Sequence, residues 1–267
     1  MSLFGGLDTS VAGVTAQANR LNTIGQNIAN VNTTGYKAGT VAFESMLGDA
    51  KTLGGGAPVS NFNGAGVGST LRLNAAQQGS ITTTTISTNL AVSGNGFFPV
   101  RTAAGTQALT RAGAFTRQSD GTLMNTAGEL LLGATSSLHT GLNALTPVIV
   151  PSADTTVTVG TNGVVSFTNS SGATTTPYVV PLANVRSPEN LTALTADAYA
   201  ANDESGAVTI SQAGTNGTGT IRGSSLESST TDLATELSNM IVTQRGYEAN
   251  SKVMSATSDM LSKLADL

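Results

Sequence analysis

From Leu7 onward, apolar or small residues recur at Leu7, Val11, Val14, Ala18, Leu21, Gly25 and Ile28, alternately four and three apart. That spacing keeps one stripe along one face of a helix. The same period returns at the other end in Leu233, Leu237, Met240, Gln244, Tyr247, Ser251, Met254, Ser258, Leu261 and Ala265, with Ile241, Val253 and Leu264 beside it. A chain with such a stripe at each end is constrained to bring two long terminal helices together. Asn32-Thr33-Thr34-Gly35 places a C-cap glycine after the first helix, and Ser229-Thr230-Thr231-Asp232 offers N-cap hydroxyls to the second, with the acid in its first turn. Glu248 with Lys252, and Asp259 with Lys263, stand four apart with the acid first, an arrangement that favours ion pairs on a wet face. Neither helix is strong alone: Gly13 and Gly25 each cost about 1 kcal/mol relative to Ala. The stripes are wider than one partner fills, so ordering is expected when a second helix and then neighbouring subunits cover them. Periodicity alone leaves an ordinary intramolecular helix pair equally open.

Between the ends the period changes to two. The segments Ser69–Leu73, Ser80–Ile86, Leu90–Val100, Ala114–Arg117, Thr155–Val159, Val164–Phe167 and Ala207–Ser211 are short, rich in Val, Ile, Thr and Phe, and bounded by turn residues. Asn162-Gly163 between two alternating runs predicts a hairpin, and Ser119-Asp120-Gly121 a second turn. Glycine-rich stretches, 48–68 and 214–219, read as extended connectors. The expected fold is therefore α+β: terminal helices, 1–32 and 226–267, pair as a coiled-coil-like core domain; 33–80 is an extended connector with short β segments; and 81–225 is a mainly antiparallel β-rich outer domain.

Composition removes most chemistry. The 267 residues include no Cys and one His, His139, so neither a thiolate site nor a catalytic triad nor a histidine-based zinc site can be assembled. Gly94-Asn95-Gly96-Phe97-Phe98 and Gly64-Ala65-Gly66-Val67-Gly68 lack the G-x-G-x-x-G spacing and a following helix, so they read as turns rather than phosphate loops. Asp203 and Glu204 are adjacent, and adjacent side chains on a strand or loop diverge. No catalytic, cofactor-binding or metal-ligating residue is expected. Twelve Lys and Arg scattered along a chain of net charge −4 leave no footprint for nucleic acid. No stretch approaches the roughly 20 apolar residues of a membrane span, and Met1-Ser2-Leu3-Phe4-Gly5-Gly6 has no basic region before an apolar core, so no cleavable signal is expected.

Asn27-Ile28-Ala29-Asn30-Val31-Asn32-Thr33-Thr34-Gly35-Tyr36-Lys37 closes the first helix. Leu90-Ala91-Val92-Ser93-Gly94-Asn95-Gly96-Phe97-Phe98 is followed by Leu109-Thr110-Arg111-Ala112-Gly113-Ala114-Phe115 and Asp120-Gly121-Thr122-Leu123. The last helix carries Met240-Ile241, Gln244-Arg245 and Tyr247-Glu248-Ala249-Asn250. Together these resemble the signatures of the flagellar rod and hook axial-protein family, covering nearly all of the chain except about 134 to 215. Met1–Leu7 and Ala42–Leu47 resemble hook members more than rod members, whereas Ile149-Val150-Pro151 followed by the Asn162-Gly163 hairpin resembles the distal rod. The chain is short for a hook member, whose usual second outer β domain is not expected here.

The resemblance implies a structural subunit of the flagellar hook, a curved universal joint, with the distal rod of the basal body as the alternative, without cofactor or enzymatic activity and exported without a cleavable signal. It further implies polymerisation with itself into a hollow tube, and contact with distal rod, hook cap and hook–filament junction proteins. The signature residues are Asn27, Asn30, Gly35, Tyr36, Gly94, Gly96, Phe97 and Phe98. The expected assembly residues are Leu7, Val11, Val14, Leu21, Ile28, Leu233, Leu237, Met240, Tyr247, Met254 and Leu261. A secreted β-rich binding module would also suit the Thr/Ser/Gly-rich middle, but it leaves the paired seams unexplained.

Overall fold

A computed structural model describes residues 3–47, 64–135, 142–151, 156–194 and 197–265. His139, Thr155 and most of the 48–68 stretch lie outside the described residues. The chain divides into two compact units, one of residues 1–29, 39–72 and 232–267, the other of 30–38 and 73–231.

The terminal unit holds helices α1 (Leu3–Ala29) and α2 (Leu233–Ala265), which contact each other, and strands β1 (Gly39–Leu47) and β2 (Gly64–Leu73), which pair as a two-stranded sheet. Asp232, expected in the first turn behind a hydroxyl cap, instead lies just before helix α2 and caps it. Asp232 Oδ1 accepts the Thr235 N–H at 2.7 Å, and those hydrogen bonds hold its carboxyl below the usual carboxylate range. Helix α1 ends at Ala29, several residues before Gly35, so Gly35 is not its C-cap. Its positive φ of 73° answers a different need: a Cβ there would lie 2.5 Å from the backbone of Arg111 and Ala112.

The second unit is antiparallel throughout its registers. Its eight-stranded sheet runs Thr192–Ala193, Ala198–Ala200, Gln107–Thr110, Phe98–Arg101, Leu130–Gly133, Leu123–Met124 and Thr116–Arg117, with Thr146–Pro147 paired to Leu130–Gly133. A three-stranded sheet joins Thr156–Val159, Val164–Thr168 and Thr174–Val179. Strand Leu90–Ser93 pairs with Thr220–Gly223, and Ile81–Thr83 with Ser225–Glu227. The main core includes Leu90, Val92, Phe98, Val100, Phe115, Leu131, Val165, Phe167, Leu182 and Ile221. The α+β expectation therefore holds.

Three local expectations change. Leu90–Val100 is two strands, because Gly94 and Gly96 take φ of 105° and 124° and send Leu90–Ser93 and Phe98–Arg101 into different sheets. The 214–219 stretch is not an extended connector but a tight turn between strands, closed by Gly214 N–H donating to Gly219 O at 2.8 Å. At the 156–168 hairpin only Gly163 of the Asn-Gly pair has positive φ, as the last residue of a four-residue loop closed by Gly163 N–H to Gly160 O at 2.9 Å. Asn162 instead accepts the Val164 N–H with its side chain. The strand Thr174–Val179 contains Pro177 and pairs through a register shift, a place where a strand tolerates the missing donor.

Candidate assembly surface

The buried face of each terminal helix is small and polar. Ser10, Ala16, Ile24 and Asn27 are buried on α1, and Glu236, Thr243 and Thr257 on α2. Ser10, Thr243 and Thr257 donate their hydroxyls to carbonyls one turn back, which lets them be enclosed without an outside partner. The two helices meet through amides seated over glycines. A Cβ on Gly13 would come within 2.9 Å of the Asn250 amide, and one on Gly246 within 3.0 Å of the Gln17 amide. At the α1 C-terminus, Asn27 Nδ2 donates to Gly39 O and to Glu236 Oε1, both at 2.9 Å, while Asn27 Oδ1 accepts the Gly39 N–H at 3.0 Å. The packing positions Ser10, Gly13, Gln17, Ile24 and Asn27 lie one residue away from the apolar seam, a rotation of about 100° around the helix.

None of the expected assembly residues is fully buried. Val11, Leu233, Leu237 and Tyr247 are exposed, Val11 and Leu237 each by 46%, and Leu7, Val14, Leu21, Ile28, Met240, Met254 and Leu261 are half-buried. Ile241, Val242, Val253 and Met260 extend the open apolar surface, Val242 being 62% exposed. Val242 and Met260 carried no period signal because they fall off the seam. Seven large apolar side chains of α2 are thus exposed among the described residues. Neither Glu248 with Lys252 nor Asp259 with Lys263 closes into an ion pair; among the described residues both ion pairs involve Glu227.

Glu227 belongs to the β unit and gathers its signatures. Its Oε1 accepts from Lys37 Nζ and from the Gly79 N–H at 2.7 Å, its Oε2 from Arg111 at 3.3 Å, and its backbone carbonyl from the Gly35 N–H at 2.8 Å. Lys37 also donates to the Gln77 carbonyl, and Arg111 to the Gly94 carbonyl at 2.9 Å. The Arg111 guanidinium lies 5.1 Å from the centre of the Phe97 ring, which packs edge-on against Tyr199. Burial holds the Lys37 ammonium below its ordinary value, opposed by the Glu227 charge; burial lowers Arg111 likewise. Truncating one member of such a buried set strands the others' charge, so the set locks three distant segments together.

The signature residues thus divide by role. Asn27 ties α1 to β1 and α2. Asn30 Oδ1 accepts the Thr33 hydroxyl, Gly35 admits the Arg111 backbone, and the Tyr36 carbonyl accepts the Thr230 N–H. Gly94 and Gly96 turn the chain, Phe97 stacks under Arg111, and Phe98 meets Phe115 in the core. Lys37, Arg111 and Glu227 were missed as a set: the first two sit inside the motifs as apparent surface charges, and Glu227 carries no local signal.

Three family models match this chain: "Flagella basal body rod protein" over 7–37, "Flagellar hook protein FlgE/F/G D1 domain" over 91–167, and "Flagellar basal body rod FlgEFG protein C-terminal" over 222–267. The flagellar basal-body rod protein FlgG of Bacillus subtilis (strain 168) is 31% identical over 270 residues, 98% of each chain. The chain belongs to the flagellar hook and rod protein family. Its members are axial structural proteins, not enzymes. The flagellar hook protein FlgE of Rhizobium meliloti (strain 1021) is 28% identical over 411 positions covering 100% of both chains, so it carries a long segment with no counterpart here. FlgG of Buchnera aphidicola subsp. Baizongia pistaciae is 32% identical over 266 residues, 95% of each chain. Hook and rod relatives therefore match the same helices and the same β unit of this family member.

Proposed function

We propose that the chain is a hook subunit, polymerising through its terminal helices into a hollow curved tube that acts as a universal joint between rod and filament. The observation that carries polymerisation is the open apolar surface of α1 and α2: at roughly 25 cal/mol per Å², its burial supplies the driving force between copies. The hook reading in particular is supported by the full-length match with FlgE and by the neutral hydroxyls on exposed strand positions such as Thr82, Thr83, Thr116, Thr174 and Thr209. Hydroxyl contacts exchange partners at nearly equal energy, which suits subunits that slide as the tube bends. The adjoining partners are other axial proteins: distal rod, hook cap and hook–filament junction.

A second reading, a distal rod subunit acting as a drive shaft, is supported by length, since the FlgG relatives match without a long extra segment. Electron microscopy of the purified chain under polymerising conditions, beside a version lacking 1–31 and 230–267, separates them. Curved tubes from the full chain alone support the hook. Straight tubes support the rod, and monomers in both samples contradict assembly through the helices.

A further inference from the structure

The β unit contains a pocket of about 330 Å³ whose lining includes Asn95, Phe97, Arg111, Asn184 and Arg186. Two arginines and no carboxylate are among its lining residues. Arg111 is 2% exposed, and its Nε is buried without a hydrogen-bond partner. Behind it, the set of Lys37, Arg111 and Glu227 holds two cations against one anion, so one positive charge is left over in a buried place. Arg186 is exposed, on the segment after the strand Pro181–Asn184, and supplies a second guanidinium. A planar guanidinium with neighbouring amides is suited to a carboxylate, and a low-dielectric wall strengthens that attraction.

We propose that this pocket is a carboxylate-binding site, occupied in the assembled tube by an acidic side chain of a second copy of this chain. The choice of occupant rests on the polymer reading above and on charge: the chain carries net −4, with exposed acids such as Asp203 and Glu204 available to a neighbour. The pocket itself rests on neither.

The test uses the full chain and acetate as the probe, titrated at fixed ionic strength against chloride and followed by NMR shifts of the Asn95 and Asn184 amides. The expected result is saturable acetate binding that Arg186→Ala weakens roughly tenfold or more and Arg186→Lys partly restores, without change in Tm. Identical acetate response in the parent and in Arg186→Ala overturns the site. In the second arm, acetate should raise the critical concentration for tube formation of the parent and not of Arg186→Ala. Saturable acetate binding with an unchanged critical concentration overturns the neighbour's carboxylate as occupant. If the parent binds acetate but forms no tube under any polymerising condition, the polymer reading and this occupant fail while the site stands.

Discussion

Leu237 and Phe98 are both large apolar side chains, yet Leu237 is 46% exposed on α2 and Phe98 is 0% exposed in the β unit. A similar contrast separates Ile241, Val242, Val253 and Met260 on α2 from the buried core of the β unit. The β unit encloses a core of aromatic and aliphatic residues and, with partners, the charged side chains of Lys37, Arg111 and Glu227. The terminal unit spends small residues, hydroxyls and amides on its internal contacts and leaves leucines, isoleucines, valines and methionines facing outward. On the proposed function, the difference is that of a unit completed by its own chain and one that keeps apolar residues for its neighbours.

The sharpest way to break this comparison is Glu227→Ala. It leaves Lys37 and Arg111 buried against each other, and should destabilise the β unit by about 3–5 kcal/mol, read by chemical denaturation; a change below about 1 kcal/mol would mean that the three charges are not a structural lock. Next comes the pair Phe98→Ala and Leu237→Ala. The first should cost about 3–5 kcal/mol in the isolated chain, the second no more than about 0.5 kcal/mol. The double change Leu21→Asp with Leu237→Asp should abolish tubes in sedimentation and micrographs while the β unit stays folded.

Gly35→Ala tests the backbone crossing more finely. Positive φ and contact with Arg111 and Ala112 predict a loss of about 1–3 kcal/mol, measured by thermal melting. The smallest effect concerns Asp197, whose carboxyl is pushed up to about 6 by burial first and the Glu129 charge second. A carboxyl raised in the folded state binds its proton more tightly there than in the unfolded chain. Its destabilising effect is therefore absent well below its ordinary value of 3.8, grows as pH rises from there to about 6, and is full above that. Asp197→Asn should raise stability on the order of 1 kcal/mol at pH 7, and the gain should fade as pH falls from about 6 to below 4.

Much of this was legible in residue order. The two helices and the 156–168 hairpin follow from period and turn chemistry, and the motif around Asn27 and Gly35 marks residues that prove to be buried. The face by which α1 meets α2 was not legible, because hydrophobic period identifies the stripe that wants burial and cannot say which partner covers it. Gly13 with Asn250 and Gly246 with Gln17 resemble weak points in each helix until the two are placed together. Strands such as Gln107–Thr110 and Ser225–Glu227 are too short to show alternation and are fixed by pairing with distant segments. Glu227 illustrates the general obstacle: the Lys37 ammonium that its carboxylate binds lies 190 positions away in the chain.

Amide hydrogen exchange, followed residue by residue in the monomer and in assembled tubes, tests the central claim most directly. The account predicts that amides of 3–29 and 233–265 exchange readily in the monomer and become strongly protected in the tube, while those of Phe98–Arg101 and Gln107–Thr110 are protected equally in both. Helices already as protected in the monomer as the β unit would contradict the claim that neighbours complete them.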